Sequence, residues 1–254
     1  MIIYFSGTGN TRLCATMLAR HLGDNVVELT GEALLHPECA TINLDADRVV
    51  WMFPTYSWGV PPVVRQVMRR INIAEGDKAR HYMVTTCGDD IGQCAGMWRR
   101  EMKRRAWRAV TAYSVTMPNT YVCMKGFDVD SDDLARQKLN ASADRVAQIA
   151  RRIIDGTPGD LVTGGSWAWV KTAIIYPWFV RFDMSPRPFR HTDACTACGK
   201  CRRICPMLNI TDDDARHPVW HDHCALCLRC YHACPTHAIQ YGNATRAKGQ
   251  YIAR

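Results

Sequence analysis

The 254 residues are 47% hydrophobic and 22% charged, with 32 Lys and Arg against 24 Asp and Glu for a formal charge of +8. That balance excludes a disordered chain, the length suits one or two domains, and no apolar run reaches the ~18 residues of a membrane-crossing helix. The opening Met1-Ile2-Ile3-Tyr4-Phe5-Ser6-Gly7 has neither the basic nor the apolar stretch of a secretory signal, which predicts a cytoplasmic protein.

Residues 1–155 alternate apolar runs with helical patterns, as a parallel α/β sheet does. Strands are expected at 2–5, 25–30, 48–53, 81–86 and 110–116. The run Arg48-Val49-Val50-Trp51-Met52-Phe53 is nearly unbroken apolar, which suits a strand covered on both faces. Helices are expected at 10–22, 61–71, 92–105 and 132–154. Pro61-Pro62 opens the second, and Leu139, Val146, Ile149 and Ile153 share one face of the last. Gly156-Thr157-Pro158-Gly159 and Gly164-Gly165 stop the pattern, so a linker is placed at 156–188. Within it, residues 166–182 are apolar with three tryptophans, broken by Lys171, Pro177 and Arg181. Lacking a long basic amphipathic face, this segment is expected to pack between domains as a helix or bent strap rather than to lie on a membrane. A short, turn-rich domain follows at 189–242, and a polar tail, expected to be loose, at 243–254.

Thirteen cysteines are abnormal for a reducing compartment, where clustered cysteines usually bind metal. Eight lie between Cys195 and Cys234. Cys195, Cys198, Cys201 and Cys205-Pro206 form the run C-x2-C-x2-C-x3-C-P, repeated as Cys224, Cys227, Cys230 and Cys234-Pro235. Three cysteines two residues apart wrap three iron corners of a cube, and the fourth points to the other cluster. The pattern therefore predicts one [4Fe-4S] cluster on Cys195, Cys198, Cys201 and Cys234, and a second on Cys224, Cys227, Cys230 and Cys205. Zinc, which takes separated C-x2-C pairs, suits two such runs badly, and C-x3-C-x2-C is absent. Two such clusters would remove about 4 charges, and a flavin phosphate about 2 more, leaving a mildly basic protein. This half resembles a bacterial two-cluster ferredoxin.

The first strand runs into Ser6-Gly7-Thr8-Gly9-Asn10-Thr11 and then a helix, which makes a hydroxyl-lined phosphate nest. It lacks the Lys-Ser/Thr of a triphosphate loop and the G-x-G-x-x-G of a dinucleotide site. The loop closely resembles the FMN phosphate loop of flavodoxins, a resemblance that implies a doubly wound parallel sheet in the order 2-1-3-4-5 with FMN at the strand ends. It further implies flavin loops at Pro54-Thr55-Tyr56-Ser57-Trp58-Gly59 and at Thr86-Cys87-Gly88-Asp89, with 117–121 also placed to border the cofactor. Together the two halves resemble the fused flavodoxin–ferredoxin proteins of anaerobic prokaryotes, the EFR1-type ferredoxins. That resemblance is specific at 6–11 and 195–235 and loose between 120 and 190.

Other features carry less. Arg99, Arg100, Lys103, Arg104, Arg105 and Arg108 read as a solvated helix face, with an acidic redox partner as the functional alternative and nucleic acid set aside. Ala95, Trp98, Met102 and Ala106 would form that helix's apolar face. Cys14, Cys39, Cys87, Cys94 and Cys123 read as buried free thiols, with Cys87 singled out by its flavin-loop position. His217, His221, His223, His232 and His237 read as surface groups or neighbours of the clusters. No acid/base pair stands out, so no catalytic residue is assigned. The expected function is electron transfer between two [4Fe-4S] clusters and FMN, with redox proteins as partners. The alternatives are an FMN-dependent reductase fed by its own clusters, and an iron–sulfur protein without flavin.

Overall fold

The computed structural model describes residues 1–44 and 46–253. Strands β1 (Ile2–Tyr4), β2 (Val26–Glu28), β3 (Arg48–Pro54), β4 (Arg80–Cys87) and β5 (Arg108–Thr116) form one parallel sheet in the order β2-β1-β3-β4-β5. This is the flavodoxin-like order. A two-residue parallel pairing of Thr41–Ile42 with Asn72–Ile73 stands apart from it.

Successive side chains of a strand point to opposite faces, so an apolar run supplies two cores. Ile3, Val49, Trp51 and Met83 face one side, where α2 (Pro62–Arg70) and α3 (Cys94–Arg104) bring Val64, Val67, Trp98 and Met102. Ile2, Val50, Met52 and Val84 face the other, against Leu18 of α1 (Asn10–Leu22) and Val146, Ile149 and Ile153 of α4 (Asp132–Ile154). The basic run on α3 is less solvated than expected. Arg99 pairs with Asp160, Arg104 with the buried Glu101, and Arg105 donates to the carbonyls of Met68 and Ile71. Ala106 is exposed at φ 54, just past the helix end.

The second unit is small. β6 (Phe189–His191) pairs antiparallel with β9 (Ile239–Tyr241), and β7 (Ile210–Asp212) with β8 (Pro218–Trp220). Short helices α5 (Lys200–Arg203) and α6 (Arg229–Ala233) carry Cys201 and Cys230. Its core of Phe189, Ile210, Leu226, Tyr231 and Ile239 is continuous with Val122 and Phe179, so the two units share apolar packing.

Residues 168–183 form one helical strap in which α turns (Ala168–Val170, Tyr176–Trp178) alternate with wider π turns (Lys171–Ile175, Phe179–Asp183). Pro177 has no N–H for an i−4 bond and its ring crowds that carbonyl; wider turns accommodate it. The inner face holds Thr172, Tyr176 and Phe179 buried, with the Tyr176 hydroxyl donating to the Val60 carbonyl at 2.6 Å and that of Thr172 to the Trp58 carbonyl at 2.9 Å. The strap packs between the units as expected, but its outer face stays exposed. Among the described residues no helix is long and apolar enough to cross a membrane.

The tail departs from expectation. The Gln250 side chain donates to the carbonyls of Tyr231 and Cys234, the Tyr251 N–H to His232 Nδ1, and the Ala253 N–H to the Thr8 carbonyl at 3.0 Å. Backbone carbonyls of both units and the His232 ring accept hydrogen bonds from groups read as seeking water.

Candidate functional site

One cavity of about 390 Å³, within the range of small-molecule sites, opens at the carboxyl ends of β1, β3, β4 and β5. The loop after β1 supplies Ser6, Gly7, Thr8, Asn10 and Thr11; the loop after β3, Pro54 through Trp58; the loop after β4, Thr86 through Asp90; the loop after β5, Met117 through Tyr121. Two of the sixteen residues expected at a flavin do not line it. The carbonyl of Ala253 lies against Gly9, where a Cβ would sit 2.6 Å away, and the Tyr176 ring covers Gly59 in the same way. Both glycines serve close packing.

The walls are held by specific contacts. Ser6 Oγ accepts from the Arg12 N–H, and Thr11 and Thr86 share a hydroxyl hydrogen bond of 2.8 Å. Asn119 donates twice to Asp130, whose carboxyl is also paired with Lys138 at 2.7 Å; Lys138 reaches the Gly88 carbonyl. These bonds lock the second and third flavin-type loops together. Burial opposes ionisation of Asp130, but Lys138 and Asn119 win and hold its carboxyl below the usual range. Ser57 and Trp58 take positive φ (42 and 63), strain that sits at the cavity wall. Lys171 lies 5.0 Å over the Trp58 ring and is paired with Asp90. Cys87, donating to the Asp89 carbonyl, is pushed up to about 12 by burial and remains a thiol. Cys14, Cys94 and Cys123 are likewise buried; Cys39, against expectation, is exposed.

Sequence reasoning missed the far wall: Met124, Phe127, Ile175, Trp178, Phe179 and Asp183, and the segment Leu226-Cys227-Leu228. Nothing in local spacing links the strap or a cysteine turn to the first loop. Their approach is visible in Arg229, which donates to the carbonyls of Ser6 (2.6 Å), Gly7 (2.8 Å) and Ile204 (3.3 Å) and pairs with Glu28 at 3.0 Å.

The eight clustered cysteines lie in two groups. Cys195, Cys198, Cys201 and Cys234 line one small cavity together. Cys205, Cys224, Cys227 and Cys230 form a second group whose thiols interact electrostatically. Burial, then mutual proximity, pushes Cys224 up to about 12, and burial pushes Cys201 and Cys227 to about 11. A cationic core is what would let such thiols ionise. At Cys234 burial is overcome by N–H groups of Ile239, Thr236 and Ala238 and by the Thr236 hydroxyl, and the thiol falls below its ordinary value. Backbone N–H groups of Asn209 and Leu226 also point at Cys205 and Cys224.

The histidines fall into two kinds. His232 is buried, donating to the Thr120 carbonyl, and burial lowers it to about 4; His237 contacts the Tyr231 hydroxyl and His221 that of Thr211. His217 stacks on His191 at 4.4 Å, and with Cys195 these two bring ligand atoms within 4.8 Å of one another. Cys195 also lines the small cavity with Cys198, Cys201 and Cys234.

The residues present fit a flavin at the larger cavity. Asn10 Oδ1 and the Tyr56 hydroxyl are buried on its wall without a partner, an arrangement a polar ligand would satisfy. Gly7 and Gly88 are places where a Cβ would collide with Cys227 and Asn119, so the backbone walls are already at closest approach.

Residues 194–239 match the model of the 4Fe-4S dicluster domain. No curated protein matches the chain. Among solved structures it is similar to a flavodoxin of Streptococcus pneumonia TIGR4, at 16% identity over 61% of this chain and 97% of that one, with a TM-score of 0.38. The general stress protein 14 of Treponema denticola, solved with FMN, gives 12%, 61%, 97% and 0.38. Rubredoxin oxygen:oxidoreductase from Desulfovibrio gigas gives 15%, 60%, 36% and 0.32. With the sheet order and the cysteine runs, the chain is a flavodoxin-like unit fused to a ferredoxin-like unit.

Proposed function

We propose that this chain is an electron-transfer protein that passes electrons between two [4Fe-4S] clusters and an FMN. One observation carries the reading: Cys227, a member of the second cysteine group, lines the same cavity as the hydroxyl loop Ser6–Thr11. FMN exchanges electrons singly or in pairs, and each cluster passes one at a time, so joining them couples the two modes. Ser6, Thr8 and Thr11 would hold the phosphate, with α1's N-terminus behind them. Tyr56 and Trp58 would border the ring. The Tyr56 hydroxyl is buried near Cys227 and Cys224, and burial first, then those cysteines, keeps it protonated and able to donate. Arg229 fixes the second cysteine turn against the phosphate loop, so neither unit has to find the other by diffusion.

A second reading, reduction of a small organic acceptor, draws support from the apolar outer wall at Met124, Phe127, Ile175 and Trp178. Anaerobic reductive titration of the purified protein, with flavin and iron measured on the same sample, tests the proposal. One FMN and about eight irons, all reducible by a ferredoxin donor, are expected. Iron without flavin, even after FMN is added, would leave the cavity unexplained and reject the carrier reading. Turnover of an organic acceptor by the loaded protein would favour the reductase.

A further inference from the structure

Large hydrophobic side chains exposed to water are few and scattered on most monomers, and a concentration of them marks an interaction surface. Of thirteen exposed large hydrophobics among the described residues, five lie on the strap (Trp169, Ile174, Ile175, Trp178 and Phe182) and Trp167 immediately precedes it. Trp167 is 78% exposed, so its ring projects from the surface. The inner face is anchored by Tyr176, Thr172 and Phe179, which makes the projecting face a fixed feature of a packed helix.

Charge says what this face meets. No acidic residue occurs between Asp160 and Asp183, and both charges in that span, Lys171 and Arg181, are cationic. Lys171 is neutralised by Asp90, whereas Arg181 is exposed 5.5 Å over the Phe182 ring, and Arg187 is exposed just beyond. Exposed indole rings, with Arg181 and Arg187 exposed beside them and Asp183 half-buried at the strap's end, match the headgroup and acyl boundary of an anionic bilayer, where tryptophan is favoured and arginine meets lipid phosphate. A second copy of the same face would instead bring Arg181 towards its own like charge.

We propose that the outer face of the strap is a membrane-surface anchor, seating the protein on bilayers that contain anionic lipid without crossing them. The proposal is independent of which cofactors the cavities hold. Met124 and Phe127 are also exposed and line the larger cavity with Ile175 and Trp178, so the anchored face would carry that cavity's opening.

The test is co-sedimentation of the full-length purified protein with sucrose-loaded vesicles, either neutral phosphatidylcholine or the same lipid with about 30% phosphatidylglycerol. Trp167→Ser/Trp169→Ser/Ile174→Ser changes exposed residues outside the cavity wall, and unchanged far-ultraviolet circular dichroism and iron content would show that it folds. The expected result is binding to the anionic vesicles, several-fold weaker binding to neutral ones, and at least tenfold loss in the triple variant. Failure of the wild type to sediment with either vesicle overturns the proposal, as does equal sedimentation of the variant. A wild-type dimer in velocity sedimentation that the triple variant converts to monomer, without vesicle binding, would assign the face to a second copy instead.

Discussion

Replacing Gly7 with alanine tests the junction on which the proposed electron path depends. The added Cβ would stand 2.6 Å from the Cys227 carbonyl oxygen and 3.2 Å from its Cβ. Real contacts of this kind do not fall below 3.0 Å, so the two backbones must part by at least 3.0 − 2.6 = 0.4 Å. Neither can yield by turning a side chain. The Arg229 bonds to the Ser6 and Gly7 carbonyls, 2.6 and 2.8 Å, would be strained by the same displacement. Overpacking of this kind costs about 1–3 kcal/mol, or roughly 2–4 °C of melting temperature per kcal/mol in a chain of this size. Gly96→Ala is the control: nothing lies within 4 Å of its added methyl group, and α3 would gain about 0.5–1 kcal/mol from the lost glycine. Anaerobic thermal melts of the loaded proteins should therefore move in opposite directions. Gly7→Ala melting with the wild type, while Gly96→Ala rises, would refute the close contact between phosphate loop and cysteine turn.

Three further predictions follow from charges and ligands. If the fourth cysteine of each run serves the other group, Cys205→Ala/Cys224→Ala damages only one cluster and should retain about four irons; loss of all iron would show that each run holds its own. Glu101→Gln should cost about 1.5–3 kcal/mol near neutral pH, because Arg65 and Arg69 both donate to this buried carboxylate. Burial opposes that charge, but the arginines prevail and hold the carboxyl below 4.5, so its stabilisation is full above that value and lost as pH falls through the lower folded value. Urea midpoints of wild type and variant should converge in acid, and a constant gap would contradict the assignment. His81, buried with Trp51 donating to its Nδ1 and its own Nε2 donating to the Gly76 carbonyl, is lowered by burial to about 4 from 6.5. The unfolded chain takes up that proton first, so stability should fall between pH 6.5 and 4. His81→Gln should flatten the urea-midpoint profile across that window; an unchanged slope would exclude the histidine as its cause.

Much of the first unit was legible because its signals are local. Val49 and Val50 feed opposite cores, so an unbroken apolar run reads as a central strand whichever neighbours it pairs with. Cysteine spacing is equally local, and Cys234 lines one cavity with Cys195, Cys198 and Cys201. What escaped was contact between distant segments. Gly9 and Gly59 read as cofactor glycines, yet what crowds them is Ala253 and Tyr176. The strap's burial was foreseen from its composition. Its exposed half was not, because Pro177 forces mixed α and π turns that shift the angular spacing on which an amphipathic pattern is read.

The docking of Ala253 on Thr8 has a consequence for how the protein is made. These residues stand 253 − 8 = 245 positions apart. A ribosome delivers the chain in order, and domains fold as they emerge, so β1 to β5 and their helices can assemble while the cysteine runs are still unmade. The contacts of residues 250–253 with Thr8 and with the carbonyls of Tyr231 and Cys234 can form only after both units have been made. Biosynthesis thus provides an interval in which the first unit is folded while the cavity wall supplied by Ile175, Trp178 and Leu226-Cys227-Leu228 is still unmade.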